Sequence, residues 1–200
     1  MHPFIKRYPI ISDQIEPNEL QVILLELERV LAMHIPGDVV EFGCYEGTTS
    51  LFLQRLLLRT GRQLHTYDSF AGLPPKTKAD VSPAGEQFRA GELAASKTTF
   101  IKHFRQAGLP LPVIHKGWFS QLAAQDVPTR IAFAFLDGDF YESIWQSLQL
   151  IWPQLAPGAV VIVDDYQSEA LPGARLAVDT WLQTHQAQLR TQASLAILST

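Results

Sequence analysis

Five carboxylates stand where this chain leaves its apolar runs. Glu41 follows Val39-Val40, Asp68 follows Leu64–Tyr67, Asp137 follows Ile131–Leu136, and Asp164-Asp165 follow Ala159–Val163. Short continuous apolar runs of this kind are buried strands of a parallel sheet. In an open parallel sheet the carboxyl ends of the strands form one rim, and ligands bind along it. Like charges gathered there repel and need cations, hydrogen bonds or protonation to coexist. Asp137, Asp164 and Asp165 end strands that should be neighbours. No His or Cys accompanies them, so the donors are all hard oxygens, which suit Mg²⁺ better than zinc. Any one of these aspartates alone reads as the cap of a following turn; their joint placement points to a site. Asp139 is placed to join or support that site, but reads first as an acid at the start of the helix opened by Tyr141, where the helix dipole favours it.

The stretch Glu41-Phe42-Gly43-Cys44-Tyr45-Glu46-Gly47-Thr48-Thr49-Ser50 adds a second kind of chemistry. Two glycines four apart let backbone approach a ligand where a side chain would collide. The helix that follows offers free N–H groups and hydroxyls in its first turn. The third glycine of the dinucleotide fingerprint G-x-G-x-x-G is missing. E-x-G-x-x-x-G is instead the spacing of S-adenosylmethionine (SAM) sites. Asp68, after the second strand, is placed to accept hydrogen bonds from ribose hydroxyls, as in nucleotide-binding α/β folds. Phe70 either packs on the cofactor or anchors its loop. Gly117 permits close backbone approach, and Trp118 and Phe119 either flank an adenine or fill the core. His115 is either a general base or, with no visible partner, a structural residue. Cys44 fills the turn of the glycine loop, since no base accompanies it.

These residues must be carried by a fold, and the alternation of patterns gives one. Apolar positions Leu20, Ile23, Leu24, Leu27, Val30 and Leu31 recur at helical spacing until Pro36-Gly37 stops them. Helices are expected over Thr48–Thr60, Thr98–Gln106, Tyr141–Ile151 and Pro172–Thr184, with strands at Val39–Phe42, Leu64–Tyr67, Pro112–Lys116, Ile131–Leu136 and Ala159–Val163. Leu189–Leu198 reads as one long strand or a tight pair, residues 1–12 as irregular, and residues 69–97 as a lid or substrate loop. The fold class is α/β: a mostly parallel sheet with helices on both faces, probable order 3-2-1-4-5 plus C-terminal strands. One domain over residues 1–200 is expected, with 1–35 as an N-terminal helical segment.

The chain is 46% hydrophobic and 18% charged, enough for a substantial core. Its net charge is −4 and it has no Lys/Arg cluster, which argues against nucleic acid as a partner. A single cysteine excludes an internal disulfide and fits a reducing compartment. No signal peptide or membrane span is visible, so a cytoplasmic protein is expected.

Taken together, these motifs resemble the macrocin O-methyltransferase (TylF/MycF) family. The resemblance rests on Val39–Gly47, on Thr66-Tyr67-Asp68-Ser69-Phe70-Ala71-Gly72-Leu73-Pro74, and on Lys116-Gly117-Trp118-Phe119. Phe135–Ser143 and Pro157–Tyr166 carry it further, so that it spans roughly residues 30–185. It implies a Rossmann-like class I methyltransferase fold, SAM as methyl donor, a divalent cation, and hydroxyls of natural-product sugars as acceptors. Carried over by motif, Glu41, Gly43, Tyr45, Gly47 and Thr48 would line the methionine side of SAM. Asp68, Ser69 and Phe70 would hold the ribose, and Gly117, Trp118 and Phe119 the adenine. Asp137, Asp164 and Asp165 would hold the metal, with Asp137 also the base. Related catechol-type enzymes carry a lysine three residues after the first metal aspartate; here that position is Phe140. A homodimer follows by analogy. The alternatives are a nicotinamide-dependent oxidoreductase or sugar-nucleotide enzyme, or a non-catalytic SAM-binding module.

Overall fold

The computed structural model describes residues 1–85 and 87–199. Among these described residues, seven strands form one sheet: β1 (Asp38–Phe42), β2 (Leu64–Asp68), β3 (Val113–Lys116), β4 (Ile131–Leu136), β5 (Leu155–Val163), β6 (Gln188–Gln192) and β7 (Leu195–Ser199). Their order is β3-β2-β1-β4-β5-β7-β6. The first five pair in parallel; β7 runs antiparallel to β5, and β6 to β7. Because β1 pairs with both β2 and β4, the chain reverses direction across the sheet at β1, the switch point where α/β folds open a crevice.

The two faces are covered by different helices. On one side α2 (Pro17–Ala32) and α3 (Thr48–Leu57) pack Leu20, Leu24, Leu27, Phe52 and Leu53 on Val39, Phe133, Phe135 and Ile162. On the other, α5 (Tyr141–Ile151) and α6 (Pro172–Leu182) pack Ile144, Leu148, Ala177 and Trp181 on Val40, Ala134, Leu136 and Val161. Alternate residues of β4 thus serve opposite cores, which is why its run is unbroken by polar residues. Each fully buried aliphatic or aromatic side chain contributes about 1.5–3 kcal/mol. A further helix, α4 (Lys97–Gln106), sets Phe100 and Phe104 against Cys44 and Leu51, behind the glycine loop.

Several expectations change in detail. Residues 1–12 are not wholly irregular: Pro3–Arg7 form a short helix, α1, held by the Phe4 N–H donating to His2 Nδ1. Leu189–Leu198 resolves as the tight pair, with Ala193 at φ 53° in the turn. Among the described residues of 69–96 there is one short 3₁₀ turn, Lys78–Asp80, yet the segment is closed at its base. Leu73 N–H donates to the Glu92 carbonyl and Gly91 N–H to the Leu73 carbonyl, both at 2.9 Å. Among the described residues, no helix is long and apolar enough to cross a membrane.

Candidate active site

A cavity of about 560 Å³ opens at the carboxyl tips of β1, β2, β3, β4 and β5. Its first half is the glycine loop. Gly43 has φ 82°, and a Cβ there would collide with the Asp137 carbonyl, so the tips of β1 and β4 meet only because this residue is glycine. Gly47, at φ 93°, leaves room for the Phe100 ring 2.8 Å from where its Cβ would be. The Asp68 carboxylate ties the loop down. Its Oδ2 accepts from the backbone N–H groups of Cys44 (2.8 Å) and Tyr45 (3.1 Å), and its Oδ1 from that of Phe70 (2.7 Å). Two oxygens with about four acceptor positions leave capacity for a ligand hydroxyl, and Asp68 lines the cavity with Gly43, Tyr45, Ser69, Gly117, Trp118 and Phe119.

Four expected cofactor residues stand behind this wall rather than in it. Gly47 and Thr48 sit one layer back, and Thr48 Oγ1 meets Ser12 Oγ at 2.8 Å. Phe70 packs edge-on against Phe100, so of its two readings the structure has the loop anchor. Glu41 is buried, with the Ser50 hydroxyl donating to its Oε2. Burial, opposed by that hydrogen bond and reinforced by the charge of Asp68, lifts its pKa from 4.5 to about 8. His115 is also remote: it stacks on Tyr67 with ring centroids 4.4 Å apart and meets His65 at 3.3 Å, outside the cavity. Burial raises the Cys44 thiol well above its usual pKa, which fits its turn-filling reading.

The second half is acidic. Ligand oxygens of Asp137, Asp139 and Asp165 lie within 4.8 Å of one another. This cluster differs from the expected trio in one member: Asp139 stands in it and Asp164 stands beside it. Asp139, read as a helix-terminal acid, joins the cluster because another carboxylate occupies that helix end: Asp80 Oδ1 accepts from the Tyr141 N–H at 2.7 Å. Asp139 takes φ 59° and Asp165 φ 57°, unusual for residues with a Cβ and a mark of a constrained site. Asp164 lines the same cavity, but its Oδ1 accepts from the Asp165 N–H at 2.8 Å. Burial in the cleft, then mutual repulsion, raises the pKa of all four aspartates, to about 7 for Asp139 and for Asp165. Such a set fits a hard divalent cation, which would offset the repulsion.

Two walls come from sequence far from the strand tips. Residues 13–16 and Glu19 line the cavity from the N-terminal side. Glu19 is fixed twice, accepting from the Glu16 N–H at 2.9 Å and from the Ser194 hydroxyl. Opposite, Leu73, Phe140 and Leu171 form a small apolar cluster with Phe88 and Leu93. Asp80 fastens that segment: its Oδ2 accepts from Thr77 N–H and Oγ1, both at 2.8 Å, while its Oδ1 caps α5. Gly173, at the start of α6, lies so close to this carboxylate that a Cβ would collide with it. Neither Glu19 nor Asp80 was singled out from the sequence. The signals present were a Glu three residues past Glu16 and the Thr77–Asp80 spacing, both capping patterns that carry no hint of a cavity.

A parallel sheet of this order, with a glycine loop after β1 and an acidic rim at β4 and β5, is the Rossmann-like fold of methyltransferases. The chain belongs to the Macrocin-O-methyltransferase (TylF) family, which it matches over residues 15–192. It is 35% identical over 153 residues to the 8-demethyl-8-(2,3-dimethoxy-alpha-L-rhamnosyl)-tetracenomycin-C 4'-O-methyltransferase of Streptomyces olivaceus, covering 72% of this chain and 58% of that protein. Among solved structures it resembles the O-methyltransferase NovP (TM-score 0.79, 26% identity, 91% of this chain and 79% of the other). It shares its fold with CalS11, a TDP-rhamnose 3'-O-methyltransferase of calicheamicin biosynthesis (TM-score 0.62, 20% identity, 98% and 89%). The chain spans about three fifths of the length of the curated relatives it matches.

Proposed function

We propose that this protein methylates a hydroxyl of a sugar, free or attached to a larger small molecule, using SAM and a divalent cation, Mg²⁺ by donor chemistry. What carries the reading is the meeting, in one cavity, of the Gly43–Asp68–Trp118 half with the aspartate cluster. Family membership supports the methyl-transfer chemistry and weighs against the nicotinamide alternative.

When bound, SAM supplies a methyl group already activated on its sulfonium, and the cation lowers the pKa of a hydroxyl beside it. The chain's own residues then have three tasks. Asp68 and Ser69 are assigned to the ribose side, Trp118 and Phe119 to the adenine, and Gly43 and Tyr45 to the methionine side. Asp137 and Asp165, with Asp164 at the same strand tip, are assigned to the cation. A carboxylate that gives its lone pairs to a cation is a weak base, so the hydroxyl proton falls to Asp139, held within reach of Asp137 and Asp165. Orienting the reactants is the remaining contribution, and aligned reactants gain about 7–11 kcal/mol over free collision.

The test is methyl transfer to a panel of glycosides, followed as S-adenosylhomocysteine released. Asp165→Asn is expected to lower turnover at least about 10²-fold while SAM affinity, titrated by intrinsic tryptophan fluorescence with Trp118 at the cavity, stays within a few-fold. Full turnover in excess chelator would remove the cation from the scheme. Silence across the panel with SAM bound would favour a non-catalytic SAM-binding protein.

A further inference from the structure

Ser194 stands where the β6–β7 hairpin meets the acidic rim, and its hydroxyl bonds to a residue 175 positions away. We propose that Ser194 is a positioning residue for the cation site. It holds the Asp164-Asp165 corner of β5 against Glu19 of α2, so that loading the cation also tightens the N-terminal wall of the cavity. The inference rests on the cation proposed above and adds a residue to its support.

Register explains why the hairpin reaches the site. β7 runs antiparallel to β5, with Ala196 opposite Val163, the last residue of β5. A strand that enters the sheet there must turn just beyond the β5 tip. The turn is two residues long, Ala193 and Ser194, between the paired Gln192 and Leu195. Among the described residues, none of β6, this turn or β7 lines the cavity, so Ser194 acts from behind the wall.

Backbone and side chain both fix it to the corner. The Gln167 N–H, just past Asp165, donates to the Ser194 carbonyl at 3.0 Å. The hydroxyl donates to Glu19 Oε1, and Glu19 Oε2 accepts from the Glu16 N–H at 2.9 Å. The same hydroxyl acts on Asp164. Burial, then the charges of Asp165 and Glu19, raise the pKa of that carboxyl, while hydrogen bonds from the Asp165 N–H and from Ser194 oppose the rise. A serine serving only its own turn bonds to neighbouring backbone. This one stands between two acids from elements remote in sequence.

A hydroxyl has a single proton to donate, so Asp164 and Glu19 compete for it. Glu19 also adds to the repulsion felt by Asp164 and Asp165. Positive charge at the Asp164-Asp165 corner relieves both conflicts: Asp164 no longer needs the proton, and Glu19 approaches without penalty. The hydroxyl is then left to Glu19, the partner it has in the structure. Glu19 in turn holds the Glu16 N–H, so residues 13–16 of the wall are ordered from the cation site outward.

The experiment titrates Mn²⁺, a paramagnetic stand-in for Mg²⁺, into wild type, Ser194→Ala and Ser194→Thr by electron paramagnetic resonance. Amide hydrogen exchange over residues 13–19 is followed with and without the ion. Ser194→Ala is expected to bind Mn²⁺ at least about threefold more weakly, with SAM affinity unchanged. It is also expected to lose the slowing of exchange that the ion produces in wild type. Ser194→Thr keeps the hydroxyl and is expected to restore both. Equal Mn²⁺ affinity in Ser194→Ala and wild type would overturn the inference and leave the cation standing. Equal losses in the alanine and threonine variants would overturn it too, since the turn would then need only the shape of serine. Exchange indifferent to the ion in wild type would overturn the coupling to the wall. A wild type that binds no Mn²⁺ would overturn both the inference and the cation of the proposed function.

Discussion

The two halves of the cavity are built in opposite ways. The cofactor half is made by residues within a few positions of strand tips: Gly43 and Tyr45 after β1, Asp68 and Ser69 after β2, Gly117 and Trp118 after β3. The acceptor half combines the tips of β4 and β5 with walls drawn from residues 13–16 and Glu19 on one side and from residues 72–75, Thr77, Asp80, Phe88 and Leu93 on the other. The first half is positioned by sheet hydrogen bonds and cannot move without the core. The second depends on a few side-chain ties, Asp80 and Glu19 chief among them, between segments remote in sequence. Damage to the first half should therefore cost stability and function together, and damage to the second should cost acceptor handling with the fold kept.

The largest expected effect is Gly43→Ala. The residue holds a left-handed φ, and its Cβ would strike the Asp137 carbonyl, a backbone atom that can yield only by parting β1 from β4. A loss of about 3 kcal/mol or more is expected, measured by urea unfolding, with SAM binding and turnover falling together. If SAM binding survived at full strength, the rigid picture of the cofactor half would be wrong.

Asp80→Ala comes next and probes the other half. It frees the Thr77 and Tyr141 N–H groups, partly buried, at a cost of about 1–3 kcal/mol. The expected signature is a raised KM for acceptor with little change in SAM affinity. An equal loss of both would mean that the two halves are one mechanical unit.

The same division explains how much the sequence disclosed. The sheet order and the acidic rim were legible because buried strands are apolar runs and their ends are marked by the first polar residue. Asp68 and Gly43 were legible for the same reason. Glu41 was legible as a residue but not in its surroundings: the spacing suggested a cofactor contact, whereas Ser50, nine positions on, turns it inward. Asp139 reads first as a helix-terminal acid in the sequence because its competitor for the α5 terminus, Asp80, lies 61 residues from Tyr141, a separation that no local pattern reports. The N-terminal wall was hidden likewise, since nothing in Glu16 or Glu19 announces a tie to Ser194.

The smallest effect, and the sharpest on the position of Glu41, is a pH slope. Its carboxyl titrates at about 8 when folded, against 4.5 as its ordinary value. Between those values the folded state keeps a proton that the unfolded state has released, so stability is greatest below pH 4.5 and declines as pH rises toward 8. Glu41→Gln has no proton to lose and keeps the donor geometry toward solvent-free surroundings, so its own contribution is flat across the window. The rim aspartates, whose pKa values are raised as well, tilt wild type and variant alike. The difference between the two unfolding free energies should therefore be near its minimum at pH 4.5 and grow in the variant's favour by up to about 1.4 kcal/mol per pH unit toward pH 8. A difference that stays constant with pH would show that Glu41 is ionised in the folded protein. That would turn it from a buried partner of Ser50 into a charge available to the cofactor half.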